Sequence, residues 1–246
     1  GIIWDNENPY VIDRVLTDSP ANTVEANLQK GDVLVAVNGE RIDPKMNREG
    51  YLASAIKNPE VKMTFSRAGK EVEVKLHTVT YAQVKNWLYN EWEDTNRALV
   101  DRLGDGQIAY THMRDMGSEE LNEFLKDMHT RTLGKKAIII DLRYNNGGNV
   151  HNEVLEFLSQ KAHYQWAYRD FPSNSHPNVT PGDIPIIALV NERSLSDAEV
   201  TSNGIQTLGL ATIVGTETYR WIIFTSGTTL LDGSYLRLPA WGCYSL

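Results

Sequence analysis

The feature that most constrains the fold is a set of mainly apolar, strand-like runs in the second half of the chain that alternate with helical segments. These runs occupy residues 108–113, 137–142 and 184–190. Strands that are apolar on both faces are typical of parallel sheets, because the crossover helices cover both sides of the sheet. Helices at 118–129, 150–159 and 198–208 and a fourth strand at 211–214 complete the predicted alternation. The pattern therefore predicts an α/β domain on a mostly parallel sheet, with Ser118 capping the first helix.

The first 78 residues predict a small β-rich domain. Short β-like runs lie at 11–16 and 33–37, and the second is followed by Asn38-Gly39, a dipeptide typical of hairpin turns. The remaining predicted elements are a hairpin of strands at 61–65 and 71–76 and a short helix at 46–57.

A long helix is predicted between these two regions. Apolar side chains recur at helical spacing from residue 81 to residue 103, with charged residues between them. We therefore divide the chain into a β-rich domain at 1–78, a linking helix at 79–103 and an α/β domain at 104–246. Residues 162–182 show no periodicity and are predicted to form a loop.

The composition argues against several classes of function. A net charge of −8 argues against nucleic acid as the main partner, because phosphate binding needs clustered Lys and Arg. No apolar run approaches the ~20 residues of a membrane-spanning helix. The single cysteine, Cys243, excludes an internal disulfide and fits a reducing compartment such as the cytoplasm. No Cys/His cluster has metal-ligand spacing, so we expect neither a metal nor a cofactor.

Residues 191–199 carry the strongest indication of chemistry. Ser196 lies between a predicted strand and a predicted helix, with Asp197 next to it. A sharp turn at this point can expose a serine hydroxyl while the first amides of the helix point at the group it attacks. The alternative is that Ser196 only caps the helix, which is the commonest role of a serine at a helix start.

A second motif follows the strand at 137–142. The sequence Asp-Leu-Arg-Tyr-Asn-Asn-Gly-Gly places Gly147 and Gly148 where backbone amides can approach a substrate oxygen. The alternative is an ordinary glycine turn. The two motifs support each other, because both lie at carboxyl ends of strands, where α/β sheets hold their ligands.

A third motif spans residues 19–39, with Ser-Pro-Ala and then Leu-Gln-Lys-Gly-Asp-Val-Leu-Val-Ala-Val-Asn-Gly. It resembles a PDZ domain. The resemblance implies binding of a peptide C-terminus as an added strand. The matching carboxylate loop would be Gly1, Ile2 and Ile3. The alternative is a PDZ domain that serves only as a spacer or lid.

The three motifs, in this order, resemble the tricorn-type and C-terminal-processing serine peptidases, and the tricorn type more closely. The resemblance implies a crotonase/ClpP-like α/β catalytic domain preceded by a PDZ domain. It also implies that Ser196 is the nucleophile. The amide of Asp197 and one amide of Gly147 and Gly148 would form the oxyanion hole. Peptides or proteins would be the substrates, and a homo-oligomer is expected.

The resemblance does not extend to the catalytic base. The lysine of the C-terminal-processing branch falls on Trp221, and tricorn-like enzymes usually carry glycines at Arg220 and Trp221. The tricorn type uses a histidine before the PDZ domain and a glutamate after the stretch that ends this chain. We therefore expect a chain truncated at both ends, with little or no peptidase activity by itself. Of its six histidines, His151 is the first candidate for a substitute base.

Two other functions remain open from the sequence. The chain could be a PDZ peptide-binding module on a catalytically inactive α/β scaffold. A crotonase-like acyl-CoA enzyme is the weaker alternative, because a domain that binds peptide ends has no obvious use there.

Overall fold

The computed structural model describes residues 1–53 and 58–244. The chain divides into two compact units, Gly1–Asn96 and Arg97–Leu246, and the boundary falls inside a long helix.

The first unit is β-rich, as predicted. Its elements are β1 (Ile2–Trp4), β2 (Ile12–Val15), β3 (Val33–Val37), β4 (Glu40–Arg41), α1 (Arg48–Ala53), β5 (Glu60–Arg67) and β6 (Lys70–His77). Strands β1 and β2 pair with each other, and the other strands form a sheet in the order β4-β3-β5-β6. Asn38 and Gly39 connect β3 to β4 with φ values of +50° and +85°, which fit the predicted hairpin turn. Residues 54–57 of the predicted helix lie outside the described residues.

The long helix α2 spans Tyr81–Leu103, as predicted. None of its side chains is buried, and Leu103 is largely exposed. In the first unit, the Glu91 carboxylate accepts a hydrogen bond from the Thr17 amide at 2.8 Å and pairs with Arg14. Polar contacts therefore hold the middle of this helix against residues 14–17.

The second unit is built on a parallel four-stranded sheet, which confirms the predicted alternation. Its strands β7 (Ile108–His112), β8 (Ala137–Asp141), β11 (Ile186–Val190) and β12 (Thr212–Gly215) lie in the order β12-β11-β8-β7. The main helices are α3 (Ser118–Thr130), α4 (His151–Leu158) and α5 (Asp197–Thr207). Strands β8 and β11 are direct neighbours, so the segments that follow them emerge at the same edge of the sheet.

The core of this unit lies around the sheet and its helices. Ile140 of β8 and Ala188 of β11 are fully buried and belong to the same hydrophobic cluster as Phe124 of α3 and Leu158 of α4. The apolar runs in the sequence were informative because the central strands are covered by these helices.

The predicted cap of α3 was wrong. Gly117 occupies the N-cap position, and Ser118 is the first helical residue, with no side-chain capping bond. The Glu120 carboxylate, in the first turn, instead accepts a hydrogen bond from the amide of Arg114 at 3.1 Å. This bond fixes the segment before the helix, and the acidic residues of the first turn interact favourably with the helix dipole.

The predicted loop at 162–182 contains regular structure. Strands β9 (Tyr164–Trp166) and β10 (Asn174–His176) form an antiparallel hairpin, followed by a short 3₁₀ turn at Pro181–Asp183. The rings of Tyr164 and His176 stack across the hairpin, with centroids 4.8 Å apart. Most side chains here are exposed, so the alternation of apolar and polar residues that reveals a half-buried strand is missing.

A last hairpin was not predicted. It consists of β13 (Phe224–Thr229) and β14 (Tyr235–Trp241), joined by a turn that contains Gly233 at φ +83°. Within the described ranges, no helix is both long and apolar enough to cross a bilayer.

His112, at the end of β7, makes the stability of the second unit depend on pH. Its side chain is buried, and its Nδ1 lies 2.7 Å from the carbonyl oxygen of Asp141. Burial lowers the pKa of His112 from 6.5 to about 4, while the charge of Asp141 opposes the shift. The folded chain therefore resists protonation at a pH where the unfolded chain accepts it.

We expect the contribution of neutral His112 to the free energy of unfolding to be complete above pH 6.5 and to be lost as the pH falls towards 4. This group alone accounts for a loss of about 3 kcal/mol, since one pKa unit corresponds to about 1.4 kcal/mol. Urea unfolding at several pH values tests this. His112→Gln should flatten the dependence between pH 6.5 and 4, and the exposed His163→Gln should not. An unchanged slope in His112→Gln would contradict the assignment.

Candidate active site

Ser196 lies at the sharp turn between β11 and α5, as predicted. It is the N-cap residue of α5, with φ +54° and ψ −117°. Residues other than glycine rarely adopt this conformation, which costs on the order of 1–3 kcal/mol and persists only where neighbouring contacts enforce it. The residue is partly buried, so its hydroxyl is not enclosed in the core.

The carboxylate of Glu199 holds this turn in place. Glu199 is buried in the first turn of α5, and its Oε2 accepts hydrogen bonds from the amides of Ser196 and Trp221, both at 2.8 Å. Its Oε1 accepts from the Thr218 hydroxyl at 2.8 Å and from the Arg220 amide at 2.7 Å. One carboxylate thus joins the Ser196 turn to the segment that follows β12.

The two glycines after β8 lie against this turn and leave no room for a side chain. A Cβ atom on Gly147, whose φ is +77°, would lie 2.6 Å from Ser196 Cβ and 3.2 Å from the Asp197 amide nitrogen. A Cβ atom on Gly148 would lie 2.1 Å from the carbonyl oxygen of Met116. The structure therefore brings Ser196, Asp197 and the glycine pair together.

The amides of the glycine pair are not equivalent. The Gly147 N–H donates to Oδ1 of the buried Asn145 at 2.9 Å, and Asn145 Nδ2 donates to the Met113 carbonyl at 2.8 Å. By contrast, the amides of Gly148 and Asp197 donate no hydrogen bond to any group within residues 1–53 and 58–244. These two N–H groups remain available to a ligand.

The side chain of Asp197 connects the start of α4 to the start of α5. Its Oδ2 accepts hydrogen bonds from the amides of Val150 and His151, at 2.8 and 3.1 Å. Its Oδ1 lies 2.5 Å from His151 Nδ1. The contact partner of His151 is thus Asp197, the residue after the serine.

Two adjoining cavities, of about 260 and 430 Å³, open beside Ser196. Both are lined by Ser196, Ile223, Thr225 and Arg237. Gly148 and Asp197 line the smaller cavity, and Trp221 lines the larger one. The hairpin of β13 and β14, which sequence reasoning missed, therefore supplies one wall of the site.

In the segment after β12, Arg220 and Trp221 differ in where their side chains lie relative to the cavities. Arg220 has φ +66°, and its exposed guanidinium pairs with Glu217 at 2.5 Å, away from the cavities. Trp221 stacks on Tyr219, with ring centroids 5.5 Å apart, and lines the larger cavity. Of the two residues that stand where tricorn-like enzymes usually carry glycines, only Trp221 therefore narrows a cavity.

The three residues predicted to hold a peptide carboxylate lie at the start of the first unit. Ile2 and Ile3 belong to β1 and pair with β2, and the Gly1 carbonyl accepts a hydrogen bond from the Leu16 amide at 2.8 Å. A cavity of about 510 Å³ adjoins this strand. Its lining residues include Gly1, Ile2, Trp4, Leu52, Met63 and Leu76.

We expect Glu199→Ala to destabilise the second unit by about 3 kcal/mol or more, because four donors lose a buried, charged acceptor. Glu199→Gln should also destabilise it, since the amide NH₂ would face two of those donors. Calorimetric unfolding measures both changes. The exposed Glu217→Ala serves as the control and should change stability by less than about 1 kcal/mol. Equal losses in Glu199→Ala and Glu217→Ala would contradict the role of Glu199.

The chain matches two protein-family models. Residues 106–245 match the model of peptidase family S41, and residues 3–78 match the PDZ domain model. Tricorn protease homolog 1 from Streptomyces coelicolor is 28% identical, over 95% of this chain and 22% of its own length. The tricorn protease of Thermoplasma volcanium is also 28% identical, over 94% of this chain and 23% of its own length.

A solved structure shows the same fold. The crystal structure of the tricorn protease aligns with a TM-score of 0.74 at 23% identity, covering 97% of this chain and 24% of that one. This chain therefore spans about a quarter of the length of these relatives. The family match covers more than half of the chain, so the chain belongs to peptidase family S41, among its tricorn-like members, and carries a PDZ domain ahead of the peptidase domain.

Proposed function

We propose that this chain is the core of a tricorn-type serine peptidase in which Ser196 attacks the scissile carbonyl carbon. The observation that carries the proposal is the strained turn that places Ser196 beside Gly147 and an open cavity. The attack forms a tetrahedral intermediate, which releases the amine product and leaves an acyl group on Ser196. Water then hydrolyses this ester and frees the enzyme.

We assign the oxyanion hole to the amides of Gly148 and Asp197. Gly147 is the less suitable member of the pair, because its N–H already donates to Asn145 at 2.9 Å. The role of Gly147 is then steric, since its missing side chain lets the loop approach Ser196. We further propose a crotonase/ClpP-like arrangement of the domain. Its support is that the glycine pair and the serine follow the neighbouring parallel strands β8 and β11.

The hydroxyl of Ser196 needs a base, and we propose that this chain by itself activates it poorly. The described residues that line the two cavities include neither a lysine nor a histidine. Trp221 occupies the lysine position of the related branch, and His151 Nδ1 is engaged by Asp197. Loss of one member of a catalytic triad typically lowers kcat by about 10⁴-fold or more.

Peptide binding by the PDZ domain is the second candidate function. In the described part of the chain, β1 pairs only with β2, and a cavity adjoins it. An extended peptide could add as a strand beside β1 and place its terminal side chain in that cavity. Peptide or protein substrates are the partners that both candidates imply, and a homo-oligomer remains a prediction.

We expect a fluorophosphonate probe to label Ser196 slowly in this chain and faster when imidazole is added as an external base. Mass spectrometry of the labelled peptide identifies the residue. Ser196→Ala should abolish the label, whereas the exposed helix-end variant Ser159→Ala should leave it unchanged. The favoured function is contradicted if the chain binds peptides but Ser196 takes no label with imidazole. Fast peptide hydrolysis without imidazole would contradict the missing base.

A further inference from the structure

Arg237 is a charged residue in the wall of the candidate active site that the reaction described above does not use. It lies on β14 opposite Gly227 of β13, and it lines both cavities that contain Ser196. The other charged residue of these linings is Asp197, in the smaller cavity.

Arg237 is an exposed residue whose guanidinium is oriented by one hydrogen bond and is not neutralised. Its Nε donates a hydrogen bond to Thr225 Oγ1 at 2.6 Å. Among residues 1–53 and 58–244, no aspartate or glutamate forms an ion pair with Arg237. The Asp197 carboxylate is already used by two amides and His151. An anchored, permanently charged group with N–H donors to spare is suited to bind an anion.

The surroundings strengthen such an interaction. In the larger cavity, Leu195, Trp221, Ile223 and Pro239 accompany Arg237. A ligand that fills this cavity displaces water from the guanidinium, which costs free energy, and a neutral ligand does not compensate that cost with an opposite charge. A carboxylate compensates the loss through two parallel N–H···O bonds in a partly apolar environment.

We propose that Arg237 binds a carboxylate of the substrate close to the scissile bond and so selects acidic substrates. This rests on the proposed function of Ser196. Because Arg237 and Ser196 line the same cavities, the carboxylate belongs to a residue flanking the attacked carbonyl. It comes either from an Asp or Glu side chain or from the C-terminus of the peptide.

Equilibrium binding to the non-reactive Ser196→Ala chain tests the proposal without turnover. The probes are short peptides that differ only at one central residue, Glu or Gln, each with a free or an amidated C-terminus. Trp4, which lines the cavity beside β1, is replaced by Phe so that a peptide bound there does not change the signal, and the fluorescence of Trp221 and Trp241 reports binding in the two cavities at Ser196. Arg237→Gln is added to this background as the test variant. The matched control is Arg193→Gln, an exposed arginine outside both linings.

We expect the better carboxylate peptide to bind about 5-fold or more tightly than its neutral partner, which corresponds to one partly solvated ion pair. Arg237→Gln should remove that preference, and Arg193→Gln should keep it. Preference for Glu over Gln identifies a side-chain carboxylate, and preference for the free over the amidated end identifies the terminus. Equal binding of all peptides, no binding, or a preference that survives Arg237→Gln would overturn the proposal. Fluorophosphonate labelling of Ser196 reports the proposed function separately.

Discussion

The Glu199 carboxylate is the interaction on which the rest of the site depends. Ser196 adopts a backbone conformation that is unfavourable for a residue with a side chain. The amide of that residue is fixed by Glu199, whose two oxygens also bind three donors of the segment 218–221. A buried carboxylate with four donors is well compensated for its lost hydration. The strained backbone of Ser196 is therefore stabilised by Glu199, which is itself fixed by the donors of residues 218–221.

Asp197 forms a second connection, which joins the start of α5 to the start of α4. It draws the glycine loop, which ends at Val150, towards the serine turn. Gly147 can approach the turn only because it has no side chain, since a Cβ atom there would collide with Ser196 Cβ. The positions of the Gly148 and Asp197 amides thus depend on three segments that are distant in sequence. They are the glycine loop, the serine turn and residues 218–221. The parallel pairing of β8 and β11 brings their starting points together.

The sequence predicts those features that leave a local pattern. The central strands β8 and β11 were predicted because strands covered on both faces are mainly apolar, and Ser196 because a strand and a helix meet there. The hairpins at Tyr164–Trp166 and Phe224–Thr229 were missed, since most of their side chains are exposed and have no alternation. The glutamate three residues after the serine is a capping-box pattern, which could have identified Glu199 as a partner of Ser196. Its contacts with residues 218–221 are tertiary and leave no local trace.

The departures at Arg220 and Trp221 have different consequences. Glu199 holds this segment through the amides of both residues, so their side chains can change without loss of the anchor. Arg220 has the positive φ that glycine adopts without strain, and its side chain points to Glu217. Trp221, in contrast, contributes a large ring to the cavity that Ser196 and Arg237 share. The backbone anchor of this segment therefore does not depend on either side chain, and the residue at position 221 acts instead on the shape and polarity of the larger cavity.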